Sequence, residues 1–408
     1  MYPFHLFLML AFAVILLPLQ GEPVVIVSLA SVGDRIRAQN PDLAAARLRI
    51  KEALGRVNQS GRLTNPELET SFEHNPTFRE AKLEVGVSQR FPVTNRLLLE
   101  KTISITELQA AEAEVREVQR QLVGQARELL VKILATRAHR ESVAKQIGVA
   151  NEFADFLAEA AKKGEAAPLD AGQARLEVRS LALEARQLEV SEATWIGELK
   201  PLLGMRLEQA VSVAGKLTDL SLPDRSVDPS RRPDFQAAKL EASAAAQGVA
   251  LEQARRYEDL EGGFFTAAER SEDAPNGDEK EAIVGVRLKV PLPLWNRNEG
   301  SIQEAQAKRT RKEKEAIALS RHIRLEAEAA LTEMEQWAKL HGELKQELLP
   351  LADEQVNLAE TIFRTGQGDI QVVFRAREKR LQLVGKGLDA LRDFHLARVR
   401  YETVLAKP

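Results

Sequence analysis

The chain has 408 residues, with 57 basic against 60 acidic side chains and a formal net charge of −3. That balance excludes a general nucleic-acid binder, which needs a basic stripe. The absence of Cys excludes disulfides, thiolate metal sites, a Cys nucleophile and a lipid-carrying N-terminal Cys. A charged fraction of 29% with only 5% aromatics points to long helices rather than a compact enzyme core, and the mean hydropathy of −0.26 excludes a chain of many membrane-spanning helices.

Leu6 to Leu17 is an unbroken apolar run. It is shorter than the ~20 residues of a spanning helix and has the length of a secretory h-region. Pro18 and Gly21 end it, so residues 1–21 are expected to form an export signal. Residues 1–20 hold no Lys or Arg, which leaves an uncleaved anchor or a misplaced start codon as the alternatives.

A helix is predicted over about 31–61, followed by two strands. Leu68, Thr70 and Phe72 alternate with Glu67, Glu69, Ser71 and Glu73. Leu83, Val85, Val87, Gln89 and Phe91 alternate with Glu84, Gly86, Ser88 and Arg90. Period-two alternation makes one face apolar and the other polar. No Pro interrupts 93–167, and a very long helix is predicted over 95–163. At 1.5 Å per residue it is on the order of 100 Å long, which suits a rod or a tunnel wall better than a globular domain. A Gly-containing turn at Gly164 reverses the chain into a helix over 169–203.

The same order then returns. Asn40-Pro41-Asp42-Leu43 recurs as Arg232-Pro233-Asp234-Phe235, Val85-Gly86-Val87 as Val284-Gly285-Val286, Asn95-Arg96 as Asn296-Arg297, and Gly164 as Gly366. The long-helix seam Val115, Val118, Leu122, Ala126, Leu129, Ile133 recurs as Ala316, Leu319, Ile323, Ala327, Ala330, Met334, each 201 residues later. This is a narrow apolar stripe at nearly coiled-coil period. Two repeats are therefore expected, 31–225 and 226–408, each reading helix, two strands, long helix, helix. The second has helices over 231–257, 297–365 and 370–405, with a kink at Pro350 inside the long one. Its strands run Leu260–Thr266 and Val284–Val290, joined by an exposed acidic loop over 268–281.

Segments of eight or nine alternating residues approach the ~9–11 of a membrane-barrel strand. In a barrel the apolar face meets lipid, and Glu67, Glu69, Glu84, Arg90, Arg287 and Lys289 line a wet lumen. Four strands cannot close a barrel, for which about eight is the practical minimum, so several chains must contribute. The competing reading is a structural coiled-coil protein carrying two amphipathic hairpins and no pore.

Asn65-Pro66-Glu67-Leu68-Glu69, Ser88-Gln89-Arg90-Phe91-Pro92, Leu202-Leu203-Gly204 and the run Val290-Pro291-Leu292-Pro293-Leu294-Trp295-Asn296-Arg297-Asn298-Glu299-Gly300 carry a resemblance. The chain resembles the TolC-type outer-membrane efflux proteins over essentially all of 31–406, and among them the branch serving heavy-metal-cation efflux. The resemblance implies a mainly α protein with a membrane β-barrel. Three copies would form a homotrimer with one twelve-stranded barrel and a helical tunnel in the periplasm of a Gram-negative cell. It implies a periplasmic adaptor and an inner-membrane proton-driven pump of the RND type as partners, with passive conduction through the chain itself. Efflux of organic compounds and type I secretion use the same fold and stand as alternatives.

The resemblance places the tunnel's periplasmic mouth, and its contact with the adaptor, at Gly164–Asp170 and Gly366–Ile370. Relatives often carry acidic residues six and nine positions after the turn glycine. Here those positions hold Asp170 and Gln173 in the first repeat, Val372 and Arg375 in the second, so only Asp170 fits the acidic pattern. Asp369 is expected either to add charge there or to cap the following helix. The six His residues show no i, i+4 pair and no HExxH, and no nucleophile–base set or paired carboxylates stand out. No enzyme, metal site or cofactor is expected.

Overall fold

The computed structural model describes residues 24–206, 208–273 and 277–407. The expected export signal lies outside them. The first helix does not run whole over 31–61. It divides into α1 (Val32–Gln39) and α2 (Pro41–Gln59). Pro41 disfavours the helical region for Asn40, which is extended and instead caps α2, its side-chain oxygen accepting the Leu43 N–H at 2.8 Å. Its amide also donates to the Leu202 carbonyl at 2.9 Å, fixing the start of α2 against the end of the later helix α4 (Pro168–Leu202).

The long helix α3 spans Arg96–Lys163, 68 residues. Its seam is buried as the spacing predicts, with Ala126 and Ile133 fully inaccessible, and so are Ile323, Ala327 and Met334 of α6 (Glu299–Glu343). The kink expected at Pro350 is a π-helical turn, Leu344–Leu348, leading into α7 (Leu349–Arg364). Pro350 has no N–H to continue the ladder, and a π turn absorbs the mismatch without ending the rod. The return helix is α8 (Ile370–Val404), and α5 (Pro233–Ala254) opens the second half. The sequence patterns did not signal β1 (Val25–Val27) and β4 (Val211–Val213). These three-residue strands pair in parallel and cover the core formed by α1, α3 and the end of α4.

The remaining strands are β2 (Glu67–His74), β3 (Ala81–Phe91), β5 (Leu260–Asp273) and β6 (Gly277–Lys289). They form one antiparallel sheet in the order β2-β3-β5-β6. The second hairpin corrects the sequence expectation, because most of 268–281 is strand and not loop. Glu269 lies opposite Glu281 and Arg270 opposite Lys280, continuing the ladder to Asp273 and Gly277. Like charges facing each other hid this extension. Backbone pairing out to Asp273 and Gly277 outweighs a repulsion that water screens.

Candidate functional site

The candidate residues lie on two surfaces, the strand face and the helical tips. On the sheet, directly opposed residues point to the same side. One face therefore reads in rows: Leu68, Val87, Phe264 and Val286; then Thr70, Val85, Thr266 and Val284; then Phe72, Leu83, Ala268 and Ala282. The large apolar residues here are 38–81% exposed, with no helix over them. Rows from Phe91–Leu260 to Phe72–Leu83 cover about 27 Å along the strands, or about 20 Å at a barrel tilt of ~40°, close to the apolar band of an outer-membrane barrel. The next row, His74, Ala81, Arg270 and Lys280, is charged.

The opposite face gathers all six residues expected to line the lumen. Arg287 donates to Glu69 at 2.8 Å and to Glu84 at 2.5 Å, and Arg90 lies 3.4 Å from both Glu67 and Glu261. Lys289 reaches Glu261 at 3.9 Å. Phe265 is the one large aromatic on this face. Its ring lies over Gly285, where any Cβ would collide with it, and the Arg287 guanidinium sits 5.3 Å from the ring centre. This face is thus a mesh of ion pairs.

At the other end, α3 and α7 finish alike. Gly164 adopts φ 78° and Gly366 φ 74°, the left-handed region that glycine enters without strain. The N–H of the following residue closes each helix on the carbonyl five back, Glu165 to Ala160 at 2.8 Å and Gln367 to Ile362 at 3.2 Å. Asp369 is the cap of α8, its carboxylate accepting the Gln371 N–H at 2.9 Å. Asp170 sits half-buried in the first turn of α4. Gln371 Nε2 donates to Gln173 Oε1 at 2.7 Å, so the structure brings the two turns together through Gln173. Arg375 is exposed and folds back on its own helix, its Nε donating to the Gln371 carbonyl at 3.2 Å.

Beneath the turns lies a cluster the spacing patterns did not single out. Phe153 of α3 stands edge-on to Phe363 of α7 and Phe374 of α8, each 6.1 Å away, and the Arg377 guanidinium stacks 4.1 Å over its ring. Arg377 also donates to Glu360 at 2.7 Å. Burial pushes the nearby Glu177 carboxyl up, against the pull of Arg377. Three Phe converging on the turns of an aromatic-poor chain were the available signal. Among the described residues no helix is long and apolar enough to cross a membrane, and no group of three His, Asp or Glu could hold a metal.

Residues 229–404 match the family described as outer membrane efflux protein. The cobalt-zinc-cadmium resistance protein CzcC of Cupriavidus metallidurans is 25% identical over 380 residues, covering 90% of this chain and 84% of that protein. The solved outer-membrane protein VceC of Vibrio cholerae superposes with a TM-score of 0.72 at 18% identity, covering 92% of this chain and 95% of that one. CusC, solved in a study of transmembrane channel formation, gives 0.74 at 16% identity over 92% of this chain and 91% of its own. The expected duplication and mainly helical body agree with the fold of these solved proteins. The second half of the chain thus matches the outer membrane efflux protein family, its first half repeats the same order of elements, and nine-tenths of its length shares the fold of these solved proteins.

Proposed function

We propose that three copies share one twelve-stranded barrel and that the joined helices form a periplasmic tunnel carrying divalent heavy-metal cations outward. The observation that carries this is the sheet itself. It has an uncovered apolar face, an ion-paired opposite face, and unpaired edges at β2 and β6. An open edge is satisfied by another strand, and three such sheets supply twelve strands, above the barrel minimum. The sequence similarity to a cobalt-zinc-cadmium resistance protein supports cations as the cargo.

The tips, with Gly164, Asp170, Gln173, Gly366, Asp369 and Arg375, form the mouth that a periplasmic adaptor engages. An inner-membrane pump of the RND type supplies the energy. No binding site is needed in a passive conduit, so the pump sets the choice of cargo. The test is restoration of cobalt, zinc and cadmium tolerance in cells deleted for the chain but retaining its adaptor and pump. Tolerance regained with lowered cell-associated metal supports the reading. Normal membrane insertion with unchanged metal content contradicts it.

A further inference from the structure

The uncovered face of the sheet is shorter than the layer a barrel crosses. Its rows give about 20 Å of apolar height, against the ~25 Å of an outer-membrane barrel. The missing ~5 Å cannot come from the hairpin end, where the row His74, Ala81, Arg270 and Lys280 is charged. It has to come from the end nearer the helices. There β6 stops at Lys289, and the chain runs on as Val290-Pro291-Leu292-Pro293-Leu294-Trp295 before α6 begins at Glu299.

Leu260 pairs with Phe91, and Glu261 with Lys289, so continuing the register sets Val290 opposite Leu260 in the last apolar row. Beyond it Leu292 is 67% exposed, Leu294 59% and Trp295 93%. Extended chain advances ~3.3 Å per residue, so about two residues past Val290 supply ~5 Å of height at a barrel tilt of ~40°. The backbone of this segment also suits such a boundary. Irregular backbone beside hydrocarbon must have its polar groups satisfied. Pro291 and Pro293 have no N–H, and the Leu294 N–H is bonded to the Leu292 carbonyl at 2.8 Å. The far end is held in place. Asn298, at φ 58°, donates its side-chain amide to the carbonyl and the carboxylate of Glu252 on α5, at 2.9 and 3.0 Å. Trp295 therefore projects from an anchored loop. The corresponding linker of the first repeat, residues 92–95, is shorter and has no aromatic residue.

We propose that Leu292, Leu294 and Trp295 complete the lipid-facing band of the barrel, with the Trp295 indole at the phospholipid head-group boundary of the periplasmic leaflet. The occupant of this surface is lipid, and the proposal rests on the shared-barrel reading above. In that reading the sheet face meets hydrocarbon, and the exposed segment continues it without a break. An indole suits the boundary because its ring is apolar and its N–H needs a polar partner. The exposed Arg297 follows two residues later, where its long side chain can carry the charge to the lipid phosphates.

The chain has three Trp, at 195, 295 and 337, so Trp195→Phe with Trp337→Phe leaves Trp295 as its only indole. The variant is reconstituted in phosphatidylcholine vesicles brominated either near the head group or deep in the acyl chains. Trp295 emission is expected to be quenched about twofold more by the shallow bromines than by the deep ones. Phe264→Trp, in a chain whose three native Trp are replaced by Phe, reports the middle of the sheet face and is expected to show the reverse preference. Lipid quenching at position 264 with none at Trp295 overturns the proposal and leaves the barrel standing, whether Trp295 emits as in water or as buried in protein. Stronger quenching of Trp295 by the deep bromines overturns its place at the boundary. No quenching at position 264 by either lipid overturns the barrel and the proposal with it. Trp295→Cys bearing a nitroxide, in the otherwise unsubstituted chain, which has no Cys of its own, measures the same depth without the Phe replacements. Collision with oxygen in excess of collision with a water-soluble nickel chelate is expected, and the reverse overturns the proposal.

Discussion

The side chains of Gln173 and Gln371, 198 residues apart in sequence, meet through one hydrogen bond of 2.7 Å that ties the first helical turn-back to the second. Both groups are neutral, so this link is indifferent to pH. Replacing both residues by Glu puts two carboxylates in contact, which cannot both ionise without repulsion. The Gln173→Glu, Gln371→Glu variant in planar lipid bilayers is expected to conduct more at pH 7 than at pH 4. The unsubstituted channel is expected to show no such dependence arising from this pair. Identical pH profiles would show that the turns do not restrict the mouth.

Val286 lies on the uncovered face in line with Phe264, Val87 and Leu68. Val286→Arg is expected to destabilise the membrane-embedded protein by about 2–4 kcal/mol, as for a charge near the midplane of a barrel wall. Ser71→Arg, on the opposite face, is expected to cost far less because that face is wet. Urea unfolding of protein reconstituted in vesicles measures both. Equal effects would mean that the uncovered face does not meet lipid.

Gly285 leaves room for the Phe265 ring, which would collide with any Cβ there. Gly285→Ala alone is expected to destabilise by about 1–3 kcal/mol through overpacking. Adding Phe265→Ala removes the obstruction, so the double variant is expected to be more stable than the sum of the single effects allows. A double-mutant cycle on urea midpoints reads the coupling, and strict additivity would contradict it.

This pair also marks how far the sequence was legible. The alternation at Leu83–Phe91 and Val284–Val290 identified the strands, their two faces and the charges gathered on one of them, because each property depends on period alone. The duplication was legible because loop insertions leave helix spacing intact, as in Val115–Ile133 and Ala316–Met334. What spacing could not supply was contact between distant elements. The Phe265 ring over Gly285, Arg377 on Phe153, and the Gln173–Gln371 bond depend on which helices and strands become neighbours. The charged extension of β5 and β6 was hidden for a related reason, since Glu269 and Glu281 read as loop residues until their backbones pair. Asp369 showed only as two possible roles, and its bond to the Gln371 N–H identifies it as a helix cap.

His395 on α8 is 7% exposed and its Nε2 has no hydrogen-bond partner. It faces a cavity of about 320 Å³ shared with Arg127, Lys216, Asp219, Arg398 and Glu402. Burial, with the Arg398 charge, lowers its pKa to about 4, while Asp219 pulls the other way. The unfolded histidine titrates near 6.5, so between pH 6.5 and 4 the unfolded chain binds a proton that the folded chain refuses. Stability from this group is complete above pH 6.5 and falls as the pH drops, by on the order of 3 kcal/mol at pH 4. Asp219 is held at about 2 by Arg398 and Ser221, so its own loss of stability comes at lower pH. His395→Leu is expected to flatten the urea midpoint between pH 6.5 and 4.5 relative to the unsubstituted protein. Parallel profiles would contradict the burial of a neutral imidazole.

A channel built from this chain depends on three copies sharing one barrel, because a four-stranded sheet with open edges at β2 and β6 encloses nothing by itself. The most direct measurement is the protein mass of the detergent-extracted particle, by light scattering on a gel-filtration column with the detergent contribution subtracted. Shared closure predicts a mass of three chains, recovered from the outer-membrane fraction. A soluble monomer or dimer that needs no detergent would contradict the barrel and the conduit together.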